Sequence, residues 1–172
     1  MKKLFVAVAA LATMLFVSCN KEANYPSLIQ GTWNSQTLQM TITKNGKAVT
    51  ADDFVAGITD AETKKEMTEI FNQLVTPQDA KGASPTFKDG KFTVSTTTLP
   101  SLNFPSGEYT ISGNTLTIKS DSQTVSFTIT SLTSSDLSLT LDSAKNPGFI
   151  PAGYEETLQG YGFTITINFI RK

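Results

Sequence analysis

Gly107-Glu108-Tyr109-Thr110-Ile111-Ser112-Gly113-Asn114-Thr115-Leu116-Thr117-Ile118 is the stretch on which the fold turns. Apolar residues alternate with Thr and Ser on both sides of Gly113-Asn114, the period of two that a strand shows when one of its faces is buried. A turn at Gly113-Asn114 sets Ser112 opposite Thr115, Ile111 opposite Leu116 and Tyr109 opposite Ile118, so the apolar faces of two antiparallel strands coincide. Upstream, Phe87 and Phe92 flank Lys88-Asp89-Gly90-Lys91. An Asp-Gly pair suits a type I′ hairpin, which places these two phenylalanines face to face.

The same alternation runs outward to both ends of the chain. A first strand is expected from Gln30 to Thr43, with Leu38, Met40 and Ile42 on one face. Val125, Phe127 and Ile129 form a sixth strand; Leu132 falls out of phase, which predicts a β-bulge before a turn at Ser134-Ser135. Leu137, Leu139 and Leu141 make the seventh strand, and Phe163, Ile165, Ile167 and Phe169 the eighth. Eight consecutive antiparallel strands, each with one apolar face, predict an all-β, closed up-and-down barrel, because closure removes both sheet edges. A β-sandwich is the alternative architecture.

One helical insertion is expected between strands 1 and 2. Thr59 followed by Glu62 has capping-box spacing, and Met67, Ile70, Phe71, Leu74 and Val75 recur at helical intervals until Pro77. Asp52 and Asp53, after Thr50, read as caps of a short preceding turn. A second insertion, from Ala144 to Gly162, carries Phe149, Ile150, Tyr154, Leu158 and Tyr161, too long and apolar for a plain connector. In an up-and-down barrel the even connections share one end: these are the tight turns at Asp89-Gly90, Gly113-Asn114 and Ser134-Ser135. The odd connections share the other end and include both insertions and the segment Leu99 to Pro105. One end is therefore sealed by turns and the other ringed by long apolar loops, where binding is expected.

The N-terminus specifies an address. Lys2 and Lys3 precede an apolar run from Leu4 to Val17, and Ser18-Cys19 closes it on the single cysteine of the chain. This is the layout of a secretory signal. A transmembrane anchor would need roughly 20 apolar residues, and no A-x-A-like site supports ordinary cleavage. The ending resembles the lipobox of bacterial lipoproteins, which implies that residues 1–18 are removed and that Cys19 is acylated. The expected organisation is a signal peptide over 1–18, a lipidated cysteine and tether over 19–28, and a barrel domain over 29–172.

Of the 172 residues, 14 are Lys or Arg and 15 are Asp or Glu. Loss of Lys2 and Lys3 with the leader leaves 12 against 15, a net charge of −3 with no basic cluster, so nucleic acid is not an expected partner. About 150 residues suffice for one core, burying roughly 68–70% of the surface of the unfolded chain. With Cys19 acylated there is no disulfide, and packing must supply the stability.

Gly31-Thr32-Trp33 opens the first strand as G-x-W opens lipocalins, and the stretch from Gly107 to Ile118 is similar to the strand-turn-strand core of the lipocalin-like (calycin-type) lipoproteins of Gram-negative bacteria. The resemblance covers roughly Ile29 to Lys172, and the helical insertion departs from it. It implies that Arg171, the sole arginine, packs over Trp33, the sole tryptophan, at the sealed end. Ser135-Asp136-Leu137 keeps the acid of the family's T-D-Y-like motif but lacks its tyrosine, which weakens a receptor-binding role for that surface.

Catalysis has little to work with. Without histidine or a free thiol, the Ser-His, Cys-His and His-metal arrangements are unavailable, and no nucleophile-elbow, phosphate-loop or EF-hand spacing is present. Glu155 and Glu156 read as solvated. A non-enzyme with no cofactor and no metal is expected, anchored by lipid in the cell envelope, on the periplasmic or the surface side of the outer membrane. Two functions fit. One is binding of a small apolar ligand at the mouth, through Met40, Ile42, Leu102, Phe104, Phe149 and Tyr154. The other is an interaction module, an accessory subunit or inhibitor, that presents the same loops to an envelope protein. The bulk of Phe87, Phe92, Phe127, Phe163 and Phe169 favours a barrel largely filled by its own side chains, with only a shallow pocket near the mouth.

Overall fold

The computed structural model of the chain describes residues 24–95, 106–120, 123–146, 156 and 158–172. In chain order the elements are α1 (Tyr25–Leu28), β1 (Gly31–Lys44), β2 (Lys47–Ala48), α2 (Ala51–Phe54), α3 (Ala61–Val75), β3 (Gln78–Asp79), β4 (Ser84–Lys88), β5 (Lys91–Ser95), β6 (Gly107–Ser112), β7 (Thr115–Lys119), β8 (Thr124–Leu132), β9 (Asp136–Asp142) and β10 (Gly162–Arg171). Each of the strands from β4 to β10 pairs with the next, β4 pairs with β1, and β10 returns to β1, so β1 and β4 to β10 close an eight-stranded antiparallel barrel. The closing seam runs from Trp33↔Arg171 to Thr43↔Gly162.

Both hairpins adopt the expected register. Phe87 faces Phe92, with ring centroids 5.1 Å apart, and Asp89 and Gly90 both take positive φ, as a type I′ turn requires. Ile111 faces Leu116 and Tyr109 faces Ile118. Gly113 has φ 56° and Asn114 is not left-handed, the pattern of a type II′ turn. The bulge anticipated from Leu132 is present as a register shift between Ile129 and Ser131. It returns Leu132 to the buried face.

The second barrel strand is less regular. Gly31 and Thr32 pair with Phe87 and Thr86, whereas Thr37 and Leu38 pair with Asp79 and Gln78, leaving two extra residues on the β3–β4 side. Ser35, 1% exposed, fills this double bulge. Its hydroxyl lies 2.5 Å from Ala80 O and 3.0 Å from Ala83 O and accepts from Ala83 N at 3.2 Å. A polar residue at an inward position is thereby satisfied, as buried hydroxyls must be.

The core is one continuous cluster running from Tyr25, Ile29 and Trp33 through the barrel to Phe54, Phe71 and Leu158. Outward-facing positions carry hydroxyls and amides that pair across strands: Thr140 with Thr166 at 3.0 Å, Ser138 with Asn168 at 2.8 Å, and Asn168 with Thr37 at 2.9 Å. Apolar side chains point in and polar ones out, the inverse of a barrel that faces lipid. The helical insertion carries a second helix, α2, before α3. The α2 cap is Thr50, in a reciprocal capping box with Asp53. The α3 cap is Asp60 accepting from Thr63, one residue later than the expected Thr59–Glu62 frame. At the N-terminus the expected tether is shortened, because Tyr25 is buried and α1 packs beneath the barrel.

Candidate functional site

The closed end is organised by Arg171. Its guanidinium carbon stands 4.3 Å from the Trp33 ring centroid. Nε donates to Ser134 O and Nη1 to Gln30 O, both at 2.6 Å, while Nη2 donates to Leu28 O. One side chain therefore ties the last strand, the sixth connection and the N-terminal segment, with its charge spread over three carbonyls and an aromatic face. Trp33 is fully buried and donates Nε1–H to Ile29 O at 2.7 Å. Gly31 makes room for the pair. Its φ is +117°, and a Cβ there would lie 2.8 Å from Arg171 Nη1. The glycine of G-x-W is thus required both for backbone conformation and for the path of the arginine.

Gln30 extends the same clasp, donating from Nε2 to the Tyr109 hydroxyl at 2.9 Å and accepting from Asp89 N at 3.1 Å. Burial pushes the Tyr109 hydroxyl above its ordinary pKa, against the smaller lowering from its hydrogen bond with Gln30. The end expected to be sealed by turns is also plugged from below by Tyr25 and Ile29.

At the opposite end, Ile42 pairs with Phe163 and Met40 with Ile165. Met40 and Ile42, expected among the ligand-contacting residues, are 5% and 1% exposed and belong to the core. Phe54 of α2 packs on Phe71 of α3 at 5.2 Å and on Tyr161 at 5.0 Å, and Lys44 Nζ lies 5.2 Å from the Tyr161 ring centroid. These rings cap the mouth end of the core, next to buried Val55, Leu74 and Leu158. Leu102, Phe104, Phe149 and Tyr154 lie outside the described residues, as does Cys19.

The seventh connection leaves the barrel from a tightly held turn. Ser143 N donates to Phe163 O and its hydroxyl accepts from Phe163 N, both at 2.9 Å. Asn146 accepts from Ser126 N at 2.7 Å and donates to Ser126 O and Asp142 O at 2.9 Å. The amide acts as one more strand residue beside β8. Sequence reading passed over both Ser35 and Asn146; Ser35 carried a signal, being polar at an inward position, whereas Asn146 in a turn carried none.

Chemically the described residues hold no concentration of reactive groups. No cluster of three or more His, Cys, Asp or Glu among them could hold a metal ion, and every buried side-chain nitrogen and oxygen among them has a partner. No protein family, curated protein or solved structure matches this chain. The site is therefore read from its own residues: a rigid, fully satisfied closed end and an apolar, capped mouth.

Proposed function

We propose that the chain is a lipocalin-like lipoprotein of the cell envelope, held by acylated Cys19, that works as a non-enzymatic interaction module. In this reading the barrel is a solid pedestal and its mouth end engages an envelope protein. The supporting observation is the continuity of the buried core from Trp33 to Ile42 and Phe163 and on to the capping rings. Eight strands enclose room for side chains or for one small ligand, and bulky residues occupy the inward positions here.

Orientation follows from the anchor. Because α1 packs against the closed end, no more than Asn20 to Asn24 separates Cys19 from folded structure, a reach of at most about 18 Å. The closed end then faces the bilayer, and the mouth, with Leu102, Phe104, Phe149 and Tyr154 in its connections, points away. An outer-membrane location on either face fits this arrangement.

A second reading, binding of a small apolar ligand at the mouth, draws on a specific observation: Met40 and Ile42 lie on the strand from which the helical insertion departs and to which it returns. Native mass spectrometry of the protein purified from its own envelope separates the two. A co-purifying protein at fixed stoichiometry is expected; a stoichiometric small molecule would instead establish the second reading.

A further inference from the structure

Asn45-Gly46 is the only Asn-Gly pair in the chain, and the fold sets it at the tip of the two-residue hairpin that joins β1 to β2. Asn45 has φ 53° and Gly46 φ 75°, the two left-handed residues of a type I′ turn. The turn closes on the Lys44↔Lys47 pair, and residues 44–48 are all exposed. A Cβ built on Gly46 would meet nothing within 4 Å among the described residues. The Gly46 nitrogen, next in the chain to the Asn45 carboxamide, is therefore hindered neither by a side chain of its own nor by a described neighbour.

Such a pair can react with itself. The Gly46 nitrogen bonds to Asn45 Cγ, the bond from Cγ to the carboxamide nitrogen breaks, and that nitrogen leaves as ammonia with the proton Gly46 gave up. Water then opens the succinimide at one of its two carbonyls, leaving aspartate or a β-linked isoaspartate. Glycine favours the attack because it has no Cβ. The other described asparagines are less disposed to it. Asn146 precedes Pro147, whose nitrogen has no proton to give, and its carboxamide is held by Ser126 and Asp142. Asn34 and Asn168 engage Ser84, Ser138 and Thr37. Asn24, Asn72 and Asn114 precede Tyr25, Gln73 and Thr115, whose side chains crowd the attacking nitrogen. Ring closure also turns the Asn45 backbone out of its left-handed conformation. That movement disturbs only β2, two exposed residues long, and the opening of so short a unit is set by its own contacts rather than by the stability of the barrel.

We propose that Asn45-Gly46 is a self-modifying site, which passes through a succinimide in the folded protein and whose isoaspartate product releases β2 from β1. The β-linkage routes the main chain through the former side chain and so lengthens a turn whose two residues fit the Lys44↔Lys47 pair without slack. Thr43↔Ala48 is the one further pair that holds β2. The barrel stays closed, because β1 meets β10 along its other edge, from Trp33↔Arg171 to Thr43↔Gly162. The modification thus acts at the head of the helical insertion alone, where it also adds a negative charge.

The test ages the full chain in its membrane in neutral buffer and follows each asparagine by peptide mass mapping, with isoaspartate scored by enzymatic methylation. Conversion at Asn45 is expected within about 100-fold of the rate in a synthetic peptide of residues 43–49, and ahead of every other described asparagine. Global unfolding exposes a chain at most about 1 part in 1,000 of the time. Conversion slower than the expected window would therefore show that the turn opens only with the whole fold and would overturn the proposal, as would conversion of Asn34 or Asn114 at the rate of Asn45. The isoaspartate fraction is then compared by hydrogen exchange with Asn45→Asp, which carries the same charge without the β-linkage. Amides of Lys47 to Val49 are expected to exchange at least about 10-fold faster in the isoaspartate form, with β9 and β10 unchanged. Equal exchange in the two forms would overturn the release of β2, and faster exchange in β9 and β10 would overturn its confinement to the hairpin. The chemistry needs neither partner nor ligand, so failure here and failure of the mouth reading are separate results.

Discussion

Arg171 shows how one side chain can close a barrel. Stacked on Trp33 and donating to Leu28, Gln30 and Ser134, it joins three parts of the chain that are far apart in sequence. Trp33→Ala is expected to destabilise the protein by about 3–5 kcal/mol, the range for emptying a buried aromatic site, measured from denaturant midpoints at constant slope. A loss under about 1 kcal/mol would place Trp33 outside the core. In a double-mutant cycle, Trp33→Ala and Arg171→Ala should couple by about 0.5–2 kcal/mol. Gly31→Ala should destabilise by more than about 1 kcal/mol, because φ +117° disfavours any side chain and the added Cβ also meets the guanidinium. The Trp33–Arg171 contact is what the lipocalin resemblance implied, and strand counting permitted it. Ser35 could not be assigned, because a hydroxyl among apolar neighbours announces a need for partners without naming them; Ala80 and Ala83 reach it only through the double bulge.

The helices of the insertion depend on their caps. Asp53 is held below the ordinary carboxylate pKa first by the backbone N–H of Thr50 and then by its hydroxyl. Asp60 is lowered in the same way by the backbone and then the hydroxyl of Thr63. In both cases the ionised form is the better acceptor. A depressed pKa contributes stability that is present above the unfolded value, near 3.8, and is lost as pH falls through the folded one. Exchange protection of the α3 amides is therefore expected to be level from pH 7 to pH 5, after correction for intrinsic rates, and to fall below about pH 4. A decline that begins at pH 6 would contradict this assignment. Asp60→Ala should loosen α3 at neutral pH, while Asp60→Asn, which keeps an acceptor, should loosen it less. The sequence marked this helix and its end at Pro77 but placed the cap one residue early. Thr59 and Asp60 are both competent caps, and the extended backbone of Asp60 selects between them.

The whole molecule has two unlike ends, and the predictions for function follow from that polarity. Cys19→Ser is expected to leave the chain unacylated and to release it from the membrane fraction; labelling of the variant by a fatty-acid probe would refute the lipoprotein reading. Replacing Leu102, Phe104 and Phe149 together with serine should preserve folding and attachment while abolishing recovery of the partner or ligand. Unchanged recovery would move the search from the mouth to the outer wall, whose hydroxyls and amides pair with one another across strands. The closed end should tolerate no comparable triple change, since its residues are structural.

Alternation of period two, two glycine-containing turns and a count of eight apolar faces were enough to predict a closed antiparallel barrel and its polarity, because strand pairing is local and each hairpin declares its own register. The bulge before Leu132 was legible for the same reason: an inward residue out of phase must be brought back. Other features depended on distant contacts. Tyr25 turns a tether into part of the closed end by burying its ring. Met40 and Ile42 belong to one buried core with Phe54, Phe71 and Leu74 of the helical insertion. The pairing of both ends of the helical insertion with β1 also arises only on folding, because residues 47–49 and 78–80 are segments about 30 residues apart, for which no local pattern exists.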